Sequence, residues 1–154
     1  MTPRKDAAKP GAGAGPGARP ERSVGEIIAD YLSAGPYAVV GATSDRAKFG
    51  NQVLRAYVAK DLEVYPVNPK GGVIEGLTAY PDLRSLPKKV RGISVITPPS
   101  ITERVVVEAA DQGVRFVWMQ PGAESPEAVR IARERGLEVI ADGGCFLVAT
   151  GFRG

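Results

Sequence analysis

No histidine occurs anywhere in the 154 residues. Within this chain that excludes the serine–histidine triad, imidazole acid–base catalysis and histidine-ligated metal sites. The single cysteine, Cys145, excludes an internal disulfide and any multi-cysteine metal cluster. It fits a reducing compartment, and a cytoplasmic protein is the expectation. No apolar run approaches the roughly 20 residues that cross a bilayer, so no membrane partner is expected. The remaining acids Glu103, Glu124, Glu127 and Asp142 show neither metal-ligand spacing nor an acid–base pair, so no metal site is expected. The cationic excess is small, a net charge of +3. Part of it lies near the start, where Arg4, Lys5, Lys9, Arg19 and Arg22 outnumber Asp6 and Glu21. Arg84, Lys88, Lys89 and Arg91 cluster without interleaved aromatics, the pattern of a solvated face, and no nucleic-acid partner is expected.

What the chain does contain is organised in two parts. Residues 1–22 mix glycine, alanine and proline with scattered charge. They offer too little apolar surface to offset the entropy of ordering, which predicts a disordered tail, and no apolar h-region marks them for secretion. Residues 23–152 predict one domain. Ser23 and Glu26 form a capping-box pattern ahead of Ile27, Ile28, Tyr31 and Leu32, predicting a helix that stops near Gly35-Pro36. Residues 37–41 read as a short buried strand, and 51–60 as a helix with Val53, Leu54, Tyr57 and Val58 on its inner face. Strands are predicted over 62–67 and 93–96, punctuated by Asn68-Pro69 and Pro98-Pro99 because proline has no donor for a ladder. Ser100 and Glu103 repeat the capping-box spacing before a helix with Ile101, Val105, Val106, Ala109 and Ala110 on its inner side, closed by Gly113. A fourth strand over 114–118, a helix from Ser125-Pro126 through Arg135 and a fifth strand over 137–140 complete the pattern. Apolar strands alternating with helices predict an α/β fold: a Rossmann-like three-layer sandwich with about five parallel strands and right-handed crossovers.

Ligands on an open parallel sheet bind at the carboxyl ends of the strands, near the topological switch point. The loop after the first strand contains Gly41, Ala42, Thr43, Ser44, Lys48, Phe49, Gly50 and Asn51. Close backbone approach at glycine, hydroxyl donors, a cation and a following helix N-terminus suit a phosphate. The loop matches neither G-x-G-x-x-G nor the Gly-Lys-Ser/Thr of a triphosphate loop, and taken alone it reads equally as a tight strand-to-helix turn. The second loop lacks the acidic residue that holds ribose hydroxyls in NAD-binding folds. Its Asn68, Pro69 and Lys70 offer an amide and a cation, suited to a ribose bearing a phosphate, as in coenzyme A or NADP. Lys70 by itself also reads as a solvated loop charge. Thr97, Pro98 and Pro99 in the third loop, with Gln120 and Gly122 in the fourth, suit a wall for an adenine ring or pantetheine arm, Gln120 adding an amide donor. Trp118 reads as core, and Cys145 as an inert small hydrophobe.

In order, the chain carries Val39-Val40-Gly41-Ala42-Thr43-Ser44, Lys48-Phe49-Gly50-Asn51, Tyr65-Pro66-Val67-Asn68-Pro69-Lys70, Thr97-Pro98-Pro99 and Val117-Trp118-Met119-Gln120-Pro121-Gly122-Ala123-Glu124-Ser125, then Gly143-Gly144-Cys145. Over roughly 37–152 this resembles the small stand-alone CoA-binding-domain proteins, and it is similar to the CoA-binding domain of succinyl-CoA synthetase alpha subunits. The Gly143-Gly144-Cys145 ending departs from the Asp-Arg-Cys ending of other members. The resemblance implies a Rossmann-like coenzyme A fold, with phosphate contacts from residues 41–51 and nucleotide contacts around 68–70 and 97–99. Larger CoA ligases that resemble it place a catalytic histidine and nucleotide-activation machinery in further domains. The expectation is therefore a non-catalytic protein that binds coenzyme A or an acyl-CoA without turnover by the isolated chain. Two alternatives stay open, an NADP-binding domain and a non-catalytic subunit of an acyl-CoA ligase assembly. A homodimer or a ligase-type protein partner is likewise left open.

Overall fold

Helix α1 (Val24–Leu32) leads into strand β1 (Tyr37–Val40), helix α2 (Phe49–Ala59) and strand β2 (Val64–Val67). A small hairpin, β3 (Val73–Ile74) and β4 (Leu77–Thr78), and a 3-10 turn (Leu83–Ser85) precede β5 (Gly92–Val95). Then come α3 (Pro99–Asp111), β6 (Phe116–Met119), α4 (Pro126–Glu134), β7 (Glu138–Ile140) and α5 (Phe146–Thr150). The computed structural model describes residues 22–153. The predicted disordered tail lies outside them except for Arg22, whose guanidinium pairs with Asp30 and, at 3.5 Å, with Glu138.

Five strands form one parallel sheet in the order β2-β1-β5-β6-β7, in agreement with the predicted α/β class. The chain runs outward from β1 to β2 and then returns across β1 to β5, so the switch point lies between β1 and β5. Side chains alternate across the strands and are apolar on both faces. Ala38, Val40, Ile93, Val95, Val117 and Met119 share one core with Val105, Val106 and Ala109 of α3 and Ala128 and Ala132 of α4. Tyr37, Val39, Phe116, Trp118 and Ile140 share the other with α1, α2 and α5. Trp118 is fully buried, as its apolar setting predicts, and its Nε1–H donates to the Gly144 carbonyl at 3.0 Å.

Two sequence expectations are corrected. Helix α2 opens at Phe49, two residues ahead of its predicted start, and Val58 is 47% exposed because Ala56 and Tyr57 take the inward positions. Ser100 and Glu103 do not form a capping box. Pro98 is the N-cap of α3, its carbonyl accepting from the Ile101 and Thr102 N–H groups, and Pro99 with its fixed φ takes the first helical position. The Glu103 carboxylate instead accepts from the Ser125 hydroxyl at 2.9 Å. Ser23 and Glu26, by contrast, do form the reciprocal box.

A buried polar network crosses the aromatic core. The hydroxyls of Tyr31 and Tyr57 bond to each other, and both reach Ser94 on β5, at 3.4 and 2.7 Å. Gln120 Nε2 donates to Ser94 Oγ at 3.4 Å, and Gln120 Oε1 accepts from the Phe146 N–H at 2.8 Å. One network therefore joins α1, α2, the sheet and the start of α5. Burial holds the Tyr31, Tyr57 and Tyr37 phenols above the ordinary tyrosine value.

At the carboxyl edge one close approach holds the exit of β1 against the end of β5, and a second sets the start of α2 on that exit. A Cβ on Gly41, whose φ is +100°, would lie 2.0 Å from the Ile96 carbonyl oxygen. A Cβ on Gly50 would lie 2.2 Å from the Gly41 carbonyl oxygen. Neither position has room for a side chain.

Two outcomes follow for stability. Gly122→Ala meets no atom within 4 Å, so only its left-handed backbone is penalised, by about 1–2 kcal/mol. Gly50→Ala must displace backbone, and urea unfolding should show at least twice that loss. The buried phenols keep their protons in the fold and release them near pH ~10 once unfolded. Their contribution is therefore complete below about pH 10 and is lost as pH rises beyond it. Urea midpoints should fall above that pH, with tyrosinate absorbance from these residues rising together with unfolding.

Candidate functional site

The loops after β1, β2 and β5 converge because their backbones interlock. The Gly41 N–H donates to the Val67 carbonyl at 3.1 Å, and the Ile96 N–H to the Val40 carbonyl at 2.8 Å. Asn68 locks the first two loops together. Its Nδ2 donates to the Ala42 carbonyl at 2.8 Å, and its Oδ1 accepts from the Lys70 N–H at 2.8 Å. Pro69 and Lys70 follow, both exposed, and the Lys70 ammonium has no partner among the described residues.

The loop between β1 and α2 is folded on itself. The Asp45 N–H donates to Thr43 Oγ1 at 3.2 Å, the Ala47 N–H to Asp45 Oδ1 at 3.0 Å and the Lys48 N–H to the Asp45 carbonyl at 3.0 Å. Lys48 is the N-cap of α2, its carbonyl accepting from the Asn51 and Gln52 N–H groups, but its side chain makes no capping bond, so the first N–H groups of the helix, from half-buried Phe49 and buried Gly50, have no side-chain partner among the described residues. The side chains of Ser44 and Lys48 are exposed and unpartnered among the described residues. Asn51 is fully buried and holds this shape: Nδ2 donates to the Thr43 carbonyl at 2.9 Å, and Oδ1 accepts from Arg55 Nε at 2.7 Å.

The third and fourth loops are less available. Thr97 Oγ1 pairs with the buried Thr102 hydroxyl at 2.7 Å, while Pro98 and Pro99 stand exposed at the start of α3. Gln120 is turned inward, against its reading as a ligand donor. It is fully buried, and both ends of its amide belong to the core network, because leaving Ser94 and the Phe146 N–H unsatisfied would be costly. Gly122 is exposed, and its N–H donates to Glu124 Oε1 at 2.8 Å. Cys145 is the N-cap of α5, its Sγ accepting from the Val148 N–H at 3.4 Å.

The structure therefore brings Gly41, Ala42, Thr43, Ser44, Lys48, Phe49, Gly50, Asn68 and Lys70 to one edge of the sheet. It assigns Asn51 and Asn68 to holding that edge in shape. A phosphate oxygen accepts hydrogen bonds and carries negative charge. The first N–H groups of α2, the Ser44 hydroxyl and the ammonium groups of Lys48 and Lys70, unpaired among the described residues, match it in both respects. The donor set fits the phosphates of coenzyme A. Among the described residues no cluster of side chains could hold a metal ion, and no helix is long and apolar enough to cross a membrane.

One residue of this edge escapes the sequence reading. Glu75 sits on the turn of the β3–β4 hairpin, and its carboxylate reaches Asn51 and Arg46. The available signal was Glu75-Gly76 between Val73-Ile74 and Leu77-Thr78, the spacing of a two-residue hairpin turn.

Residues 36–150 match the family described as the CoA binding domain. The alpha subunit of ADP-forming acetate–CoA ligase II from Pyrococcus furiosus is 28% identical over 116 residues, covering 67% of this chain and 25% of that subunit. The chain thus spans about a quarter of the length of that relative. A hypothetical protein from Pyrococcus horikoshii OT3 shares the fold with a TM-score of 0.77 at 28% identity, over 82% of this chain and 89% of that one. A conserved hypothetical protein from Pyrococcus furiosus is 40% identical with a TM-score of 0.67, over 73% of this chain and 97% of that one. With its five-stranded parallel sheet and a match over most of its length, the chain belongs to the CoA-binding domain family.

Proposed function

We propose that this protein binds coenzyme A or an acyl-CoA at the carboxyl edge of its sheet and does not turn it over as an isolated chain. The observation that carries the reading is the start of α2, which has no side-chain cap, beside Lys48 and at an edge that also presents Lys70 without a partner among the described residues. The N–H groups of Phe49 and Gly50, with Lys48, would hold the pyrophosphate, since a helix N-terminus bears partial positive charge. Lys70 would meet the 3′-phosphate of the ribose, and Pro98 and Pro99 would flank the adenine or the pantetheine arm. Bound coenzyme A supplies a thiol for acyl transfer. The residues around it supply binding and orientation, and no histidine in the chain can serve as a phosphate or proton carrier. The relationship to an acetate–CoA ligase alpha subunit supports a second reading, in which this chain works as a non-catalytic subunit of an acyl-CoA ligase assembly. NADP also carries a ribose phosphate that Lys70 could meet, but the loop lacks the glycine fingerprint of dinucleotide sites.

Calorimetric titration with coenzyme A, dephospho-CoA, acetyl-CoA and NADP tests the reading. Saturable coenzyme A binding is expected, weaker for dephospho-CoA. Lys70→Ala should raise the Kd for coenzyme A about tenfold, on the order of 1.4 kcal/mol, and remove the preference over dephospho-CoA. Incubation with acetyl-CoA, ADP and phosphate should release no acetate. Binding of NADP without coenzyme A would contradict the assignment.

A further inference from the structure

The β3–β4 hairpin turns on Glu75 and Gly76, both with positive φ, 49° and 79°. A two-residue turn of this kind favours asparagine, aspartate or glycine at its first position. Glutamate there is held in a backbone region that long side chains seldom adopt. Conformation therefore does not account for the residue, and the contacts of its side chain do. Glu75 Oε2 accepts from Asn51 Nδ2 at 3.0 Å and pairs with Arg46 Nε at 3.2 Å. Those bonds, Asn51's first, hold the carboxyl below the ordinary glutamate value.

The contacts continue past Glu75. The same Asn51 amide donates to the Thr43 carbonyl at 2.9 Å and accepts from Arg55, which reaches back to the Arg46 carbonyl at 3.4 Å and lies 5.6 Å from the Phe152 ring centroid. The loop is thus held at Thr43 and twice at Arg46, by a network with one end on a separate hairpin. Ser44, Lys48 and the first N–H groups of α2 belong to the segment it braces. Pairing with Glu75 also occupies Arg46, which leaves Lys48 and Lys70 as the unpaired cations of this edge.

We infer that Glu75 is a positioning residue for the phosphate loop, holding Asn51 and Arg46 from the hairpin so that the 43–51 segment is preset before a ligand arrives. The identity of the ligand rests on the coenzyme A reading above; the bracing of the loop does not. An asparagine at this position would suit the turn better but is one methylene shorter in reach than the glutamate that makes these contacts. A residue kept for its side chain against its backbone preference points to function in this way.

The test is Glu75→Asn, with Glu75→Gln as the conservative companion, read by thermal midpoint, amide hydrogen exchange without ligand and coenzyme A titration. In Glu75→Asn the midpoint should hold or rise, exchange over residues 43–50 should quicken about tenfold, and the Kd for coenzyme A should rise about five- to tenfold. Glu75→Gln keeps an acceptor for Asn51 and should stay within about threefold of wild type in both. Unchanged loop exchange and Kd in Glu75→Asn would overturn the inference. So would a fall in midpoint with exchange quickened across the whole sheet, which makes Glu75 a general stabiliser. If wild type binds no coenzyme A while Glu75→Asn still loosens only residues 43–50, the positioning role stands and the coenzyme A reading falls.

Discussion

The carboxyl edge of the sheet depends on two places where backbone meets backbone with no side chain between, Gly41 against the Ile96 carbonyl and Gly50 against the Gly41 carbonyl. The first lets the chain leave β1 at the switch point while staying in contact with the end of β5. The second sets the opening turn of α2 down on that exit. A side chain at Gly50 would lift the helix away from the exit of β1, and Asn51 would lose the Thr43 carbonyl; one at Gly41 would push that exit away from the Ile96 carbonyl. The first N–H groups of α2 and the partial positive charge at its head stand at the carboxyl edge because of these contacts. The electrostatics of the edge follow from packing.

Below the edge, the hydrogen bonds among Tyr31, Tyr57, Ser94 and Gln120 place polar atoms in an otherwise aromatic core. In a low-dielectric interior a satisfied network is strong, and a broken one leaves expensive orphans. The same Gln120 accepts from the first residue of α5, and Trp118 donates to Gly144 just ahead of that helix. The last strand loop is therefore tied to the sheet floor and to α1 and α2 by directional bonds, which apolar packing alone would not specify. Sheet, aromatic layer and loops are held as one unit, and the candidate site rests on it.

The strands were legible because each is a short apolar run closed by proline, glycine or a polar loop, and the parallel arrangement follows from their alternation with helices. Elsewhere identical spacing led to different outcomes. Ser23 and Glu26 form a capping box, whereas Ser100 and Glu103 do not, because two prolines fix the start of α3 ahead of Ser100. The β3–β4 hairpin has only two residues in each strand and α5 only five residues, too few for periodicity to register. At the site, residue type identified Asn51, Asn68 and Gln120 as donors but not the direction in which they donate. All three turn toward the protein. Glu75 was invisible for a related reason: its partners lie in a different loop, and only the folded hairpin brings it to them.

In the proposed complex the head of α2 receives the phosphates of coenzyme A. Amide chemical-shift mapping of the labelled protein during coenzyme A addition reads this directly. The largest shifts should fall on the Phe49 and Gly50 N–H groups, with further changes over residues 43–48 and 68–70. Shifts concentrated at the opposite edge of the sheet, around Arg91 and Arg115, with Phe49 and Gly50 unmoved, would contradict it.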